Sequence, residues 1–210
     1  QTCALPILAL PLYVVLPNYY AREFGVPLAV LGALLLGARL LDAFIDPWIG
    51  RLTDRVFAHS TRAVLALGGM AACLLAAAFA LLFFPPISTS GALVLCASLM
   101  LALTDAAYSA VSVAYQSWGA MLGGDEGQRS RIVAWREGLG LAGVLLASVL
   151  PTFAGHGVTA AAFAALLGVG WLAWTRAPAP RPREDGTAGE LWRPLKCPAF
   201  RRLLAVFLLN

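Results

Sequence analysis

Hydrophobic residues run along this chain in long blocks separated by short polar punctuation. A helix needs about 20 apolar residues to cross about 30 Å of hydrocarbon. Runs of that length fall near 5–21, 28–50, 62–84, 92–116, 132–153 and 157–175, and another begins near Phe200 and continues to Asn210. The connectors carry turn formers: "REFGVP", "PPISTSG", "GGDEGQ" and "AGHG". The longest, "RAPAPRPREDGTAGELWRPLKCP", is Pro-rich and charged and reads as a flexible linker. The pattern predicts an all-α transmembrane protein.

Composition agrees. The chain is 60% hydrophobic and 12% charged, with a mean hydropathy of +0.78. A soluble domain is nearer about 45–50% apolar and about 25% charged, so the expected partner of this surface is a lipid bilayer and not nucleic acid. Charge placement gives the orientation. All of the fifteen cationic residues except Arg22 and Arg39 fall in or beside the connectors after the second, fourth and sixth runs. Those connectors are therefore expected in the cytoplasm, the linker 176–197 included.

The four cysteines form no metal-ligand spacing and read as buried, inert thiols. His59 and His156 stand alone in predicted loops and read as surface histidines. No cofactor is expected. Gln1–Ile7, "QTCALPI", reads as the translation of a sequencing adapter and is set aside from fold reasoning. The domain plan is then 1–7 as artefact, 8–175 as a bundle of six membrane helices, 176–197 as linker, and 198–210 as the truncated start of a seventh helix.

One run breaks the apolar pattern. Between Leu28 and Ile49, eleven Leu, Ile, Val or Phe residues favour membrane insertion by roughly 5 kcal/mol. Arg39, Asp42 and Asp46 oppose it by roughly 9 kcal/mol if they face lipid. The charges win, so the helix must turn them toward partners or a wet cavity. Asp42 and Asp46 are four residues apart and Arg39 precedes Asp42 by three, so all three share one face. Pro47 lacks an N–H, which frees the carbonyl of Ala43. Two carboxylates and a carbonyl within about one turn suit a hard cation such as Na⁺. Close carboxylates in low dielectric alternatively favour a shared proton. The plainer alternative is that Arg39 neutralises Asp42 while Asp46 sits near the interface.

Other helices carry matching parts. Asp105, Tyr108, Ser112 and Tyr115 form a polar stripe on the fourth run, suited to solute binding or to interhelical hydrogen bonding. Arg136, beside Glu137 at the start of the fifth, is placed to hold an anionic or polyol solute, to counter the second-helix carboxylates, or to snorkel to headgroups. Gly138, Gly140 and Gly143 read as close helix packing. Tyr13, Asn18, Tyr19 and Tyr20 fit either a cavity lining or an interfacial aromatic belt. No GxGD motif accompanies the carboxylates, which argues against an intramembrane aspartyl protease, and the chain is not read as an enzyme. A receptor or scaffold would have no use for inward charges.

"RLLDAFIDPWIGRLTDR", Arg39–Arg55, and "AYQSWGAMLGGDEGQRSRIVAWRE", Ala114–Glu137, resemble the glycoside–pentoside–hexuronide:cation symporters, the melibiose-permease-like branch of the major facilitator superfamily. The resemblance covers about Tyr13 to Asn210. It implies the N-terminal six-helix half of a twelve-helix symporter plus the start of helix seven, the partner half being helices seven to twelve. Asp42 and Asp46 would then bind the coupling Na⁺ or H⁺, with no other metal. Arg136 would bind solute or pair charges, and Gly50, Asp54 and Arg55 would belong to a cytoplasmic loop that latches the two halves. Sugar-binding relatives carry an Asp on helix four where Ser112 stands here, and the nearest acid, Asp105, lies two turns earlier. That departure argues against galactoside recognition. A lipid or lysolipid carrier of the same fold is the alternative.

Overall fold

In a computed structural model of the chain, residues 11–87, 90–122, 126–180 and 197–198 are described. A π-helical turn, Pro11–Val15, runs into α1, Leu16–Glu23. It is followed by α2 (Leu28–His59), α3 (Thr61–Phe83), α4 (Ser90–Met121) and α5 (Glu126–Thr175). No strand occurs among the described residues. Four of the helices, α2 to α5, are long and apolar enough to cross a membrane. The expected segments 1–7, most of the linker and the start of the seventh helix lie outside the described residues.

The breaks between helices are shorter than the turn residues suggested. Between α1 and α2, Gly25 takes a φ of 65°, which its missing Cβ permits. The Val26 N–H reaches back to the Tyr20 carbonyl at 3.3 Å, and the Pro27 carbonyl starts α2. One extended residue, Ser60, separates α2 from α3. Its backbone N–H donates to the Val56 carbonyl at 3.0 Å, and its hydroxyl accepts from the Arg62 N–H at 3.1 Å, so it ends one helix and caps the next. The fifth and sixth apolar runs form two helices that meet without an intervening loop at Gly155 (φ 79°, ψ 170°), a conformation essentially reserved for glycine, and α5 names the pair. Beyond this junction, the Thr159 hydroxyl donates to the Gly155 carbonyl at 2.9 Å.

Three expectations fail here. The segment Gly50–Arg55 is not a loop, because α2 continues to His59. Ile49, Leu52, Thr53, Val56 and Phe57 repeat at helical spacing, nothing after Pro47 interrupts the helix until Ser60, and Phe57 meets Trp118 at 6.1 Å. At 32 residues, α2 is about 48 Å long, well beyond the hydrocarbon thickness, so its polar end stays helical in water. His156 is likewise not a surface loop residue. Its ring stacks on Phe83 at 5.2 Å and lies 4.8 Å from Tyr19. Nor are Cys73 and Cys197 buried; both are exposed, Cys73 on the outer face of α3.

The bundle centres on α3 and α4, with α2 packed on α4 and α5 on α3. Phe79, Leu75, Leu82, Leu93, Val111, Phe163 and Leu167 fill the core. Tyr20 donates to the Leu82 carbonyl at 2.7 Å and Tyr19 to the Phe83 carbonyl at 3.2 Å. These are carbonyls of the last turn of α3, which have no helical partner of their own. Both tyrosines thus serve as caps, a role other than the cavity or belt expected of them. At the other end of α3, Trp171 donates to the Leu65 carbonyl at 3.1 Å, while its ring and that of Trp174 press closely on Gly69 and Gly68. On the 126–154 arm of α5, Gly140 and Gly143 are buried as expected, together with Ala147, whereas Gly138 is exposed.

A β-carbon at Gly69 would lie 2.7 Å from Trp171 Nε1, and one at Gly68 would overlap the Trp174 ring. Gly68→Ala and Gly69→Ala are each expected to destabilise the protein by about 1–3 kcal/mol in thermal unfolding in detergent. Gly138→Ala meets nothing within 4 Å and should leave the midpoint unchanged or raised.

Candidate functional site

The charged face of α2 does not lie free. The Arg39 guanidinium sits 4.3 Å from the centroid of the Tyr13 ring, on the π turn before α1. Its Nη1 is 3.9 Å from Asp42 Oδ2, at the outer limit of an ion pair. Tyr13 in turn donates its hydroxyl to Asp105 Oδ1 at 3.0 Å, across to α4. Asp105 is 3% exposed, and its Oδ2 has no hydrogen-bond partner among the described residues. Asp42, Arg39, Tyr13 and Asp105 therefore form one polar chain through three helical elements. A π turn widens the helix at the position where Tyr13 must project, and such turns often mark functional positions.

Asp46 and Ala43 continue the same face of α2 and are exposed, as is the Arg39 side chain at 60%. The apolar side chains of Leu36, Leu40, Phe44 and Trp48 follow another line along the helix and are exposed too. The insertion cost keeps the first set away from lipid, whereas the second is compatible with it. Pro47 lies inside α2 without ending it. With no N–H at Pro47, the Ala43 carbonyl has no donor from that position, one turn from both carboxylates.

The stripe on α4 is divided between two environments. Asp105 joins the buried chain, and Tyr108 is half-buried against the main core. Ser112 accepts from Gln116 Nε2 at 2.8 Å. Tyr115 contacts the Trp174 ring edge-on at 6.0 Å and also faces a cavity of about 660 Å³. That cavity is otherwise lined by α5: Gln128, Arg131, Ile132, Trp135, Arg136 and Leu139, with Gly127. Arg136 does not reach the α2 carboxylates; it pairs with its neighbour Glu137 at 2.8 Å. Asp54 and Arg55 are exposed on the polar end of α2, and Gly50 lies a turn before them in the same helix.

A family model for MFS/sugar transport proteins matches residues 2–210. The chain belongs to this family of membrane transporters. Its resemblance to the glycoside–pentoside–hexuronide:cation branch, first read from the α2 and α4–α5 segments, is borne out by two relatives. One is the inner membrane symporter YicJ of Escherichia coli K12, 31% identical over 63% of this chain and 28% of its own length. The other is the putative glycoside/cation symporter YagG of the same strain, 29% identical over 63% of this chain and 29% of its own length. The chain thus spans less than a third of the curated relatives it matches. No solved structure matches it. As a member of a transporter family, the chain is not an enzyme.

The contact missed from sequence is that between Tyr13 and Asp105, 92 residues apart. Only the shared oddity of a polar group in the middle of each run pointed to it. Tyr13→Phe should remove the donor to Asp105 and cost about 1–3 kcal/mol of stability, because it leaves a buried acceptor unpaired. A double-mutant cycle with Asp105→Asn, followed by thermal unfolding, should give a coupling of about 0.5–3 kcal/mol.

Proposed function

We propose that the protein is a cation-coupled symporter that moves a small, sugar-like solute across the bacterial inner membrane by alternating access. The observation that carries this reading is the polar face of α2, where Asp42 and Asp46 offer carboxylate oxygens beside the freed Ala43 carbonyl. A Na⁺ ion or a proton at this face removes the charge that otherwise opposes its closure against other helices. In this reading 8–175 is the N-terminal bundle, and the partner half is a second set of helices, seven to twelve, as the greater length of the relatives suggests.

Solute would be held on the cavity side. Tyr115 and Trp135 present aromatic surfaces and Arg136 offers guanidinium donors, with Arg131 and Gln128 on the same wall. Aromatic faces with a few fixed donors suit a polyol, whose rings are apolar on their faces and hydroxylated at their rims. The name of YagG, a putative glycoside/cation symporter, supports the same solute class, and that of YicJ supports symport alone. Two arginines on the wall also suit an anionic headgroup, so a lysolipid is the second candidate. The segment with Gly50 and the exposed Asp54 and Arg55 would act as a latch between halves, presented by a helix end and not by a loop. Coupling is reciprocal: the cation raises solute affinity by the factor by which solute raises cation affinity.

The test is uptake by the intact protein in proteoliposomes under an imposed Na⁺ or pH gradient, with glycosides and lysolipids as solutes. Wild-type uptake is expected to follow one gradient. Asp46→Asn should lose at least about tenfold of that stimulation, as expected for loss of a charged ligand. Arg136→Lys should raise the solute KM more than it lowers the maximal rate, because a fork of donors becomes a point charge. Uptake that ignores both gradients, in wild type and Asp46→Asn alike, would sink the symport reading.

A further inference from the structure

We propose that Asp105 and Tyr13 are positioning residues for the cation site, which act by holding the Arg39 guanidinium back from Asp42. The proposal rests on Asp42 and Asp46 being cation ligands, and it takes Asp105 out of the solute site.

Arg39 is a permanent positive charge three residues from Asp42 on the same helix face. It is therefore a tethered competitor for whatever cation Asp42 binds. A fully formed Arg–carboxylate pair closes to about 2.7–2.9 Å and is often bidentate. The observed contact is a single one at 3.9 Å, and the guanidinium instead stands over the Tyr13 ring. Cation–π attraction comes from the negative face of the ring. Donation of the phenol hydroxyl to a carboxylate pushes electron density onto the oxygen and into the ring, making that face more negative. Asp105 Oδ1 accepts this hydrogen bond at 3.0 Å. Asp105 thus acts on Arg39 through Tyr13.

Its burial fits that role better than solute contact. Asp105 is 3% exposed and does not line the cavity shared by Tyr115 and Arg136. An ionised carboxylate so enclosed is strongly unfavourable unless a positive charge lies near. Arg39, across the Tyr13 ring, supplies that charge. The arrangement leaves Asp42 at 15% exposure, with oxygens that Arg39 has not claimed. When the hold is lost, the guanidinium drops onto Asp42 and competes with the cation.

The experiment measures the concentration of Na⁺, or of H⁺ if that ion drives wild type, giving half-maximal solute uptake by the intact protein in proteoliposomes. Choline chloride keeps ionic strength constant in the Na⁺ series. Tyr13→Leu, which removes the ring, should raise that concentration roughly two- to fivefold, the equivalent of one exposed cation–π contact. Tyr13→Phe and Asp105→Asn leave a ring without the hydrogen bond that enriches its face, and each should raise it by a smaller factor. Adding Arg39→Gln should bring both back to the value of Arg39→Gln alone. If Arg39→Gln does not fold, Arg39→Met is used, since it removes the charge, keeps the length of the side chain and should bring both variants back in the same way. An unchanged half-maximal concentration in Tyr13→Phe and Asp105→Asn overturns the proposal. So does a rise that persists when Arg39 is replaced, or a changed solute KM with normal cation activation, which would mark Asp105 as a solute ligand. Wild-type uptake indifferent to both cations would instead overturn the cation-site reading itself.

Discussion

The side chains of Arg39, Asp42 and Asp46 cannot face hydrocarbon. Three charges cost roughly 9 kcal/mol at the centre of a membrane helix, more than the apolar residues of that helix return. The surrounding structure answers this constraint. Arg39 is taken up by the face of Tyr13, Tyr13 is tied to Asp105, and Asp42 is drawn partly under cover between them. The chain needs a group from each of three helical elements, so it sets the relation of the π turn, α2 and α4. Asp46 and Ala43 are left on the open side of that arrangement.

The rest of the bundle holds these helices with ordinary membrane-protein devices. Glycines on α3 let two tryptophan rings of α5 approach closely, as small residues do where no water is available to drive association. Polar side chains on these interfaces are spent on helix ends: Tyr19 and Tyr20 at the end of α3, Trp171 near its start, and Trp118 on the Pro178 carbonyl. In an apolar medium an unpaired carbonyl is costly, so the two tyrosines satisfy last-turn carbonyls of α3 that the helix leaves open. The cavity between Tyr115 and the first turns of α5 does not include the buried acid among its lining residues.

Much of this was readable from the chain. Membrane helices follow from apolar length, and the shared face of Arg39, Asp42 and Asp46 follows from spacing alone. Their chemistry follows from the price of burying charge. What stayed hidden depends on pairings distant in sequence or on signals that two structures share. Gly50–Arg55 looked like a loop because charge appears there, but an amphipathic stripe carries α2 on to His59. "AGHG" does divide the fifth and sixth runs, but Gly155 alone makes the break, and His156 packs on Phe83. Asp105 was conspicuous as an acid in an apolar run, but nothing in its neighbourhood named Tyr13 as its partner.

The central claim is that the charged face of α2 looks into water within the protein while the adjacent face meets lipid. Cysteine accessibility tests it most directly. With the native cysteines replaced, Ala43→Cys and Phe44→Cys are exposed to a hydrophilic maleimide in membranes holding the intact protein. The account predicts that Ala43→Cys reacts, that the coupling cation slows the reaction, and that Phe44→Cys is inert. Labelling of Phe44→Cys with an unreactive Ala43→Cys would contradict it.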